Sequence, residues 1–171
     1  QNTGAASTDV TVSYVAGSAG SDCTEMQTIA GGSSATFALA ATCTELGGPS
    51  FVGAATVTAN TGSEDLVAIV NQVNFSTNDK GAAYNGFDPA AATGSVSFPL
   101  IMQDNYGYFT GFNVYNAGAE ASVDCMFSAG ANAPADFSTT IGAGDVYTAV
   151  QGGSGQYVGG VVCEAAGGSL V

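Results

Sequence analysis

The chain has 171 residues, a length that fits one domain or two small ones. Hydrophobic residues make up 46% and charged residues only 9%, which argues against intrinsic disorder and predicts a buried core. Fourteen acidic residues face one base, Lys80, and the net charge of -13 excludes nucleic acid and anionic membrane surfaces as partners. No apolar run approaches the roughly 18 residues of a membrane span.

Short runs rich in β-branched and aromatic residues follow one another along the chain, separated by clusters of Gly, Asn, Ser and Pro. The predicted strands, in chain order, are 10–14, 51–58, 66–73, 96–102, 108–115, 123–127, 146–150 and 157–163. The segment 74–95 has little strand character. No stretch sustains the 3.6-residue period of a capped helix. Regularly spaced short strands predict an all-β, sandwich-like fold.

Four blocks of sequence recur in the same order, which predicts an internal repeat. The matched blocks are 2–14 with 116–127, 28–33 with 140–145, 51–59 with 157–165, and 62–63 followed by 66–67 with 168–171. We therefore predict two related β-sandwich repeats. Their bounds are 1–76 for the first repeat, 77–95 for a connecting segment and 96–171 for the second repeat.

The four cysteines are Cys23, Cys43, Cys125 and Cys163. None lies in a CxxC pair and the chain has no His, which argues against a zinc site. An even cysteine count in a Gly-rich chain of low charge favours two disulfides and an oxidising compartment. Four cysteines allow three pairings.

The repeat match favours local pairing. It assigns Cys125 to the place of Thr11 and Cys163 to the place of Thr58, on strands expected to face each other. The other two cysteines lie between the matched blocks, in connections specific to the first copy. We predict the disulfides Cys23–Cys43 and Cys125–Cys163.

Candidate catalytic chemistry is scarce. Nucleophilic catalysis needs a base beside the nucleophile, and the chain has no His and a single Lys. A paired-carboxylate hydrolase is the remaining option, but small sandwich repeats offer no deep cleft and no Trp provides a platform for a sugar. The acids considered are Asp9, Glu64, Asp65, Asp88 and Asp104. We favour solvated surface acids, and we predict no enzyme, no catalytic residue and no cofactor-binding residue.

Calcium is the best ligand hypothesis, because carboxylate and amide oxygens in loops suit it. The candidates are Asp79, Asp88 and Asp104, but no spacing matches an EF-hand or a nonapeptide repeat, so simple solvation is favoured. Asn74 begins the only Asn-x-Ser/Thr triplet and is the candidate glycosylation site, with glycans as candidate partners. The aromatic cluster at 106–109 is either a recognition patch or, as we favour, a source of core or subunit contacts.

The blocks 1–4, 28–37, 51–54, 67–73, 83–87 and 98–107 resemble tandem Ig-like repeats in secreted cell-surface proteins of Chloroflexi-type filamentous bacteria. The resemblance covers nearly the whole chain. It implies Ig-like repeats and an extracellular or cell-surface location. Its motifs are strand and turn signatures and imply no catalytic role. Repeats of this type seldom need cysteines, whereas this chain carries four.

In the family-like order, strands 98–102 and 109–115 open a repeat and strand 66–73 closes one. The first copy then lacks its opening strands, and the second lacks most of its closing strand. Either the chain is an excerpt of a longer polypeptide, or neighbouring subunits complete the domains and share terminal strands.

We predict a structural subunit of an extracellular filament, sheath or surface layer, a head-to-tail homopolymer assembled by strand pairing. The alternative is a binding, adhesion or stalk repeat of a larger secreted surface protein.

Overall fold

The computed structural model describes residues 1–38, 51–62, 64–74 and 80–171. In these residues the chain is all-β, with several antiparallel sheets consistent with a β-sandwich, and a single-turn 3-10 helix at Pro89–Ala91. No helix among the described residues is long and apolar enough to cross a membrane. The strands are β1 Thr8–Ala19, β2 Cys23–Ile29, β3 Val52–Ala59, β4 Ile69–Asn74, β5 Lys80–Asn85, β6 Ser95–Gln103, β7 Gly111–Tyr115, β8 Ala121–Phe127, β9 Phe137–Ile141, β10 Val146–Val150 and β11 Tyr157–Ala165.

Alternating burial shows why the central segments form strands. In β1, Val10, Val12 and Tyr14 are buried while the residues between them are partly exposed. In β8, Val123 and Cys125 are buried between exposed neighbours. Side chains alternate between the two faces of a strand, so this period of two buries one face of each sheet.

The chain divides into two compact units. Unit 1 comprises the described residues within Gln1–Tyr14, Ser21–Gly47 and Ala55–Asp88, and unit 2 those within Val15–Gly20, Gly48–Ala54 and Pro89–Val171. Strands β1 and β3 therefore contribute residues to both units. The predicted repeat bounds at 76 and 96 stay a prediction.

Unit 1 is built on the three-stranded sheet β2-β1-β3 and the two-stranded sheet β4-β5. In the first sheet, β1 and β2 pair with Thr8 opposite Ile29 and Tyr14 opposite Cys23. The buried apolar side chains of unit 1 lie on this sheet; they are Val10, Val12, Tyr14 and Ile29.

Unit 2 contains the four-stranded sheet β6-β11-β8-β9 and the two-stranded sheet β10-β7. Its core joins inward side chains of both sheets, and the rings of Phe98 on β6 and Phe112 on β7 lie 4.6 Å apart between centroids. The most deeply buried apolar residues of this core are Ile101, Val114, Val123, Cys125, Cys163 and Leu170.

The parts of β1 and β3 that belong to unit 2 lie close to its two-stranded sheet. Asn113 of β7 donates its side-chain amide to the Gly53 carbonyl (3.0 Å), and Thr148 of β10 donates its hydroxyl to the Asn113 amide oxygen (2.8 Å). A Cβ on Gly53 would lie 2.1 Å from the Val15 carbonyl oxygen, and one on Gly17 would lie 2.4 Å from the Thr148 hydroxyl. Gly53 therefore requires glycine for close approach to backbone, whereas the tight contact at Gly17 is with a side chain.

All eight predicted strands are present, and three further strands, β2, β5 and β9, were not predicted. The prediction that 74–95 has little strand character is wrong, because β5 lies within it. Each of the three missed strands lies at the edge of its sheet. Edge strands bury fewer side chains and so carry a weaker alternation in sequence.

The disulfide Cys125–Cys163 is present and joins β8 to β11. The two cysteines are directly opposite each other in the β8–β11 ladder, and both are buried. The predicted pairing is therefore confirmed within one sheet. Cys23 is also disulfide-bonded. Its predicted partner, Cys43, lies outside the described residues.

The strand register corrects the sequence match that led to this pairing. Ile29 pairs with Thr8, which lies four residues before Val12. Ile141 pairs with Ala121, which lies four residues before Cys125. Because Ile29 and Ile141 occupy matched places, Cys125 corresponds to Val12, and its assignment to Thr11 is wrong by one residue. The segment between Asn116 and β8 is one residue shorter than the segment between Asn2 and β1. An ungapped match therefore assigns each residue of β8 to a residue of β1 that faces the other side of its sheet.

The same error affects the other cysteine. When 157–165 is aligned without a gap on 51–59, Cys163 corresponds to Val57, not to Thr58. The disulfide of the second copy thus matches a pair of valines in the first.

Candidate assembly surface

A buried asparagine lies shortly before a central strand in each unit, before β1 in unit 1 and before β8 in unit 2. In unit 1, the Asn2 side-chain amide donates to the carbonyls of Ala6 (2.7 Å) and Ile29 (3.1 Å), and its oxygen accepts from the Gly4 N–H (2.9 Å). Asn2 has 0% exposure, so these bonds replace those it would make with water.

Unit 2 repeats this arrangement around Asn116. Its side-chain amide donates to the carbonyls of Ala119 (2.7 Å) and Ile141 (3.0 Å), and its oxygen accepts from the Gly118 N–H (3.0 Å). Asn116 is also 0% exposed, and it forms a β-bridge with Leu170, as Asn2 does with Leu66. The two sets of contacts agree with the matched blocks once the one-residue gap in the second copy is allowed for, and Asn116 donates in addition to the Gly142 carbonyl (3.2 Å).

One residue before each asparagine, the backbone forms a reciprocal hydrogen-bonded pair. In unit 1, the Val67 N–H donates to the Gln1 carbonyl (2.9 Å), and the Gln1 amino group donates to the Val67 carbonyl (2.7 Å). In unit 2, Tyr115 and Val171 exchange two backbone bonds, both 3.0 Å. We call these the Gln1·Val67 pair and the Tyr115·Val171 pair.

The Tyr115·Val171 pair defines the outer edge of β7. Residues two apart in an antiparallel strand direct their N–H and C=O groups to the same side. Tyr115 directs its groups to Val171, so Asn113 and Gly111 direct theirs to that side, away from β10. In the part of the chain that the structure describes, β7 has no second strand partner.

The Gln1·Val67 pair defines the outer edge of β4 in the same way. The Ala68 carbonyl accepts from the Gly86 N–H (2.8 Å) on the side of β5, so Val67, Ile69 and Asn71 direct their backbone groups to the opposite side. The sheet β4-β5 has two strands among the described residues, which leaves this side of β4 as an edge.

Exposed apolar side chains lie on and beside the β4-β5 sheet. Ile69 on β4 is 64% exposed, Tyr84 on β5 is exposed, and Phe87 just after β5 is 70% exposed. An exposed apolar group on a strand edge is typical of an interaction surface.

A second exposed group is the turn after β6. Tyr106, Tyr108 and Phe109 are all exposed there, with Tyr106 at 87%. Asp104 and Tyr106 have positive φ angles of 45° and 52°, which few residues other than glycine adopt. The expectation that this cluster fills the core is wrong for these three residues, which leaves recognition or subunit contacts.

The predicted calcium candidates do not converge in the described residues. Asp88 is exposed and directly precedes the 3-10 helix, Asp104 is exposed in the turn after β6, and Asp79 lies outside the described residues. No group of three or more His, Cys, Asp or Glu residues placed to hold a metal occurs in the described part. Asn74 is the last residue of β4, and the rest of its glycosylation triplet lies outside the described residues.

The other acids considered for catalysis contact residues elsewhere in unit 1. Asp9 accepts from the Thr28 hydroxyl (2.5 Å), and Glu64 accepts from the Ala6 N–H (3.3 Å). The Asp65 backbone carbonyl accepts from Thr3. The Asp9 contact joins paired residues of β1 and β2, and the other two join residues that lie far apart in sequence.

Burial changes the acidity of one tyrosine in unit 1. Burial and then the nearby Glu25 carboxylate raise the pKa of Tyr14 from 10.0 to about 12, because both disfavour the tyrosinate. Glu25 itself is buried on β2. The Tyr14 hydroxyl therefore stays protonated in the folded sheet at pH values where a free tyrosine loses its proton.

A depression in unit 2 of about 290 Å³ is lined mostly by β9, β10 and the turn between them. The single ionisable carboxylate that lines it is Asp145, and the remaining lining is uncharged. It brings together no pair of groups for acid–base chemistry.

Sequence analysis predicted strands over both β4 and β7 but not that these strands are edges. The signal that pointed to them was the match of Gln1 to Tyr115 and of Val67 to Val171. No family model, curated protein or solved structure matches the chain.

Proposed function

We propose that the chain is a structural subunit of an extracellular filament, sheath or surface layer, assembled head to tail by strand pairing between copies. In this proposal it consists of two tandem Ig-like sandwich repeats, and its role is not enzymatic. The observation that carries the proposal is the pair of sheet edges that have no strand partner among the described residues, the outer edges of β4 and β7.

The matched contacts support the repeat interpretation. Asn2 and Asn116 bind equivalent backbone groups, and the Gln1·Val67 and Tyr115·Val171 pairs follow the same pattern. Such agreement in hydrogen bonds is more specific than agreement in composition, because a one-residue slip would turn each side chain to the other face.

The disulfides support the extracellular location. Cys125 and Cys163 are joined and buried, and Cys23 is disulfide-bonded. Structural disulfides persist in oxidising compartments outside the cytosol. They add stability to small units whose cores are limited in size.

The proposal is tested by the association of the purified chain. Sedimentation velocity over a wide range of protein concentrations, with negative-stain images of the same samples, should show concentration-dependent growth into regular polymers. A chain that remains a monomer throughout, with separate particles in the images, contradicts the proposal.

The exposed turn with Tyr106, Tyr108 and Phe109 favours the alternative, a binding, adhesion or stalk repeat of a larger surface protein. Exposed aromatic side chains on a turn are suited to recognition of a partner or a glycan. A binding screen against glycans, with Tyr106→Ala as the control variant, separates this alternative from assembly. Binding by a monomer that is lost in Tyr106→Ala supports recognition.

A further inference from the structure

Resting on the proposed function, we infer that the outer edge of β4 in one copy pairs with the outer edge of β7 in the next copy. The strands run antiparallel, with Ile69 opposite Asn113 and Asn71 opposite Gly111. The occupant of each edge is therefore a second copy of this chain.

The register follows from the two reciprocal pairs. Gln1 matches Tyr115 and Val67 matches Val171. The Gln1·Val67 and Tyr115·Val171 pairs are therefore the same residue pair of an antiparallel ladder, once in each repeat. β7 lies on the N-terminal side of its rung, and β4 lies on the C-terminal side of its rung. Unit 2 thus contains one strand of such a ladder, β7, and unit 1 contains the other, β4.

Placing β4 beside β7 continues this ladder. The residue two after Val67 then faces the residue two before Tyr115, which sets Ile69 opposite Asn113. The next rung sets Asn71 opposite Gly111. All four residues direct their backbone groups to the outer edges described above, so each rung forms two hydrogen bonds without breaking one inside either sheet.

The composition of both strands fits this pairing. Natural edge strands are usually protected by charges, especially Lys, or by Pro. Neither β4 nor β7 contains a charged residue or Pro, whereas β5, at the other edge of the β4-β5 sheet, contains Lys80. Because copies with a net charge of -13 repel each other, an uncharged contact is the favourable place for them to meet.

The pairing joins two different strands, so it is heterologous. Each copy offers its β4 edge to one neighbour and its β7 edge to another. Such a contact extends into an open polymer unless its rotation closes a ring. The outer edges of β4 and β7 are thereby the two surfaces of the proposed head-to-tail contact.

Engineered cysteines test the register. A Cβ on Gly111 would have its nearest neighbours at 3.6 Å, an ordinary contact, and Asn71 is exposed, so Gly111→Cys and Asn71→Cys should both fold. The described native cysteines are all disulfide-bonded. Paired residues of an antiparallel rung lie about 5.5 Å apart between Cα atoms, which suits a disulfide.

The two single variants, made with different masses, are mixed and mildly oxidised. Denaturing non-reducing gels should show a disulfide-linked heterodimer of Gly111→Cys with Asn71→Cys. The matched control replaces Asn71→Cys with Gln72→Cys, an exposed neighbour whose side chain lies on the other face of β4. We expect about tenfold less heterodimer with the control, because a disulfide requires opposed Cβ atoms.

Ile69→Lys provides an independent measurement. A charge placed at the centre of the pairing should weaken association about tenfold, since it would lose water on pairing without gaining a partner. The matched control is Val158→Lys, which adds the same charge at an exposed valine on β11 and should leave association unchanged. Circular dichroism of both variants reports whether the sheets remain folded.

The outcomes separate the inference from the proposed function. If polymers form but Gln72→Cys crosslinks as well as Asn71→Cys, or Ile69→Lys assembles normally, the inference is overturned and the proposed function stands. If the chain stays monomeric under all conditions, the edges take another occupant or none, and both are overturned.

Discussion

At the scale of single residues, the two buried asparagines explain how each unit fixes the segment ahead of a central strand, β1 in unit 1 and β8 in unit 2. Each side chain spans backbone groups that are far apart in sequence, so that Asn116 reaches Ala119, Ile141 and Gly118 at once. A backbone group buried without a partner costs about 1–3 kcal/mol. The asparagine therefore stabilises the fold by satisfying groups that no strand ladder reaches.

Asn116→Ala should lower the free energy of unfolding by about 2–4 kcal/mol, because it leaves several backbone groups without a partner. Asn2→Ala should act in the same direction in unit 1. Urea unfolding of the two variants measures the effect, with Asn85→Ala at an exposed position as the control. A loss no larger than that of the control would show that water replaces the asparagine contacts.

Tyr14 makes stability depend on alkaline pH. Its folded pKa of about 12 lies above its ordinary value of 10.0, so its contribution is fully present below about pH 10 and is lost as pH rises toward 12.

Tyr14→Phe removes this titration, so its urea midpoint should decline less than that of the native chain between pH 9 and about 12. Tyrosinate absorbance should meanwhile lose its latest-titrating group. Tyr106→Phe, at an exposed tyrosine, is the matched control. An alkaline decline in Tyr14→Phe equal to that of the native chain contradicts the assignment.

At the scale of elements, sequence patterns predicted the three strands that lie inside a sheet of the described residues and five strands at edges, and they missed three others at edges. β1, β8 and β11 each have two partners and a clear alternation of apolar residues. β2, β5 and β9 lie at edges, and β2 places a carboxylate, Glu25, at an inward position. Local pattern carries little information where burial is slight.

The candidate site was predictable in part. The repeat match paired Gln1 with Tyr115 and Val67 with Val171, and strand sharing between subunits was predicted from it in general terms. It did not identify β4 and β7 as the edges involved, because an edge is defined by which neighbours a strand lacks. The one-residue error at Cys125 has a related cause, since register is set by pairing across strands and not along one.

At the scale of the whole molecule, charge opposes association. Each copy carries a net charge of -13, and the screening length falls from about 30 Å at 0.01 M salt to about 3 Å at 1 M. Assembly through uncharged edges should therefore strengthen as salt rises.

Light scattering at fixed protein concentration should show larger assemblies in 1 M than in 0.01 M sodium chloride, since repulsion between copies is screened. Calcium chloride at equal ionic strength is the control. An equal response to both salts fits screening. Assembly that requires calcium at low ionic strength would instead support a cation site, and association that weakens with salt contradicts the uncharged contact.

The sequence by itself determined the class of fold, because alternation, turn residues and an even cysteine count are local or compositional features. It also determined the internal match, and with it the pairing of Cys125 with Cys163. Only the tertiary structure decided which strands are edges, that β1 and β3 contribute to both units, and that Tyr106 is exposed. These properties depend on contacts between residues far apart in the chain, which no local pattern encodes.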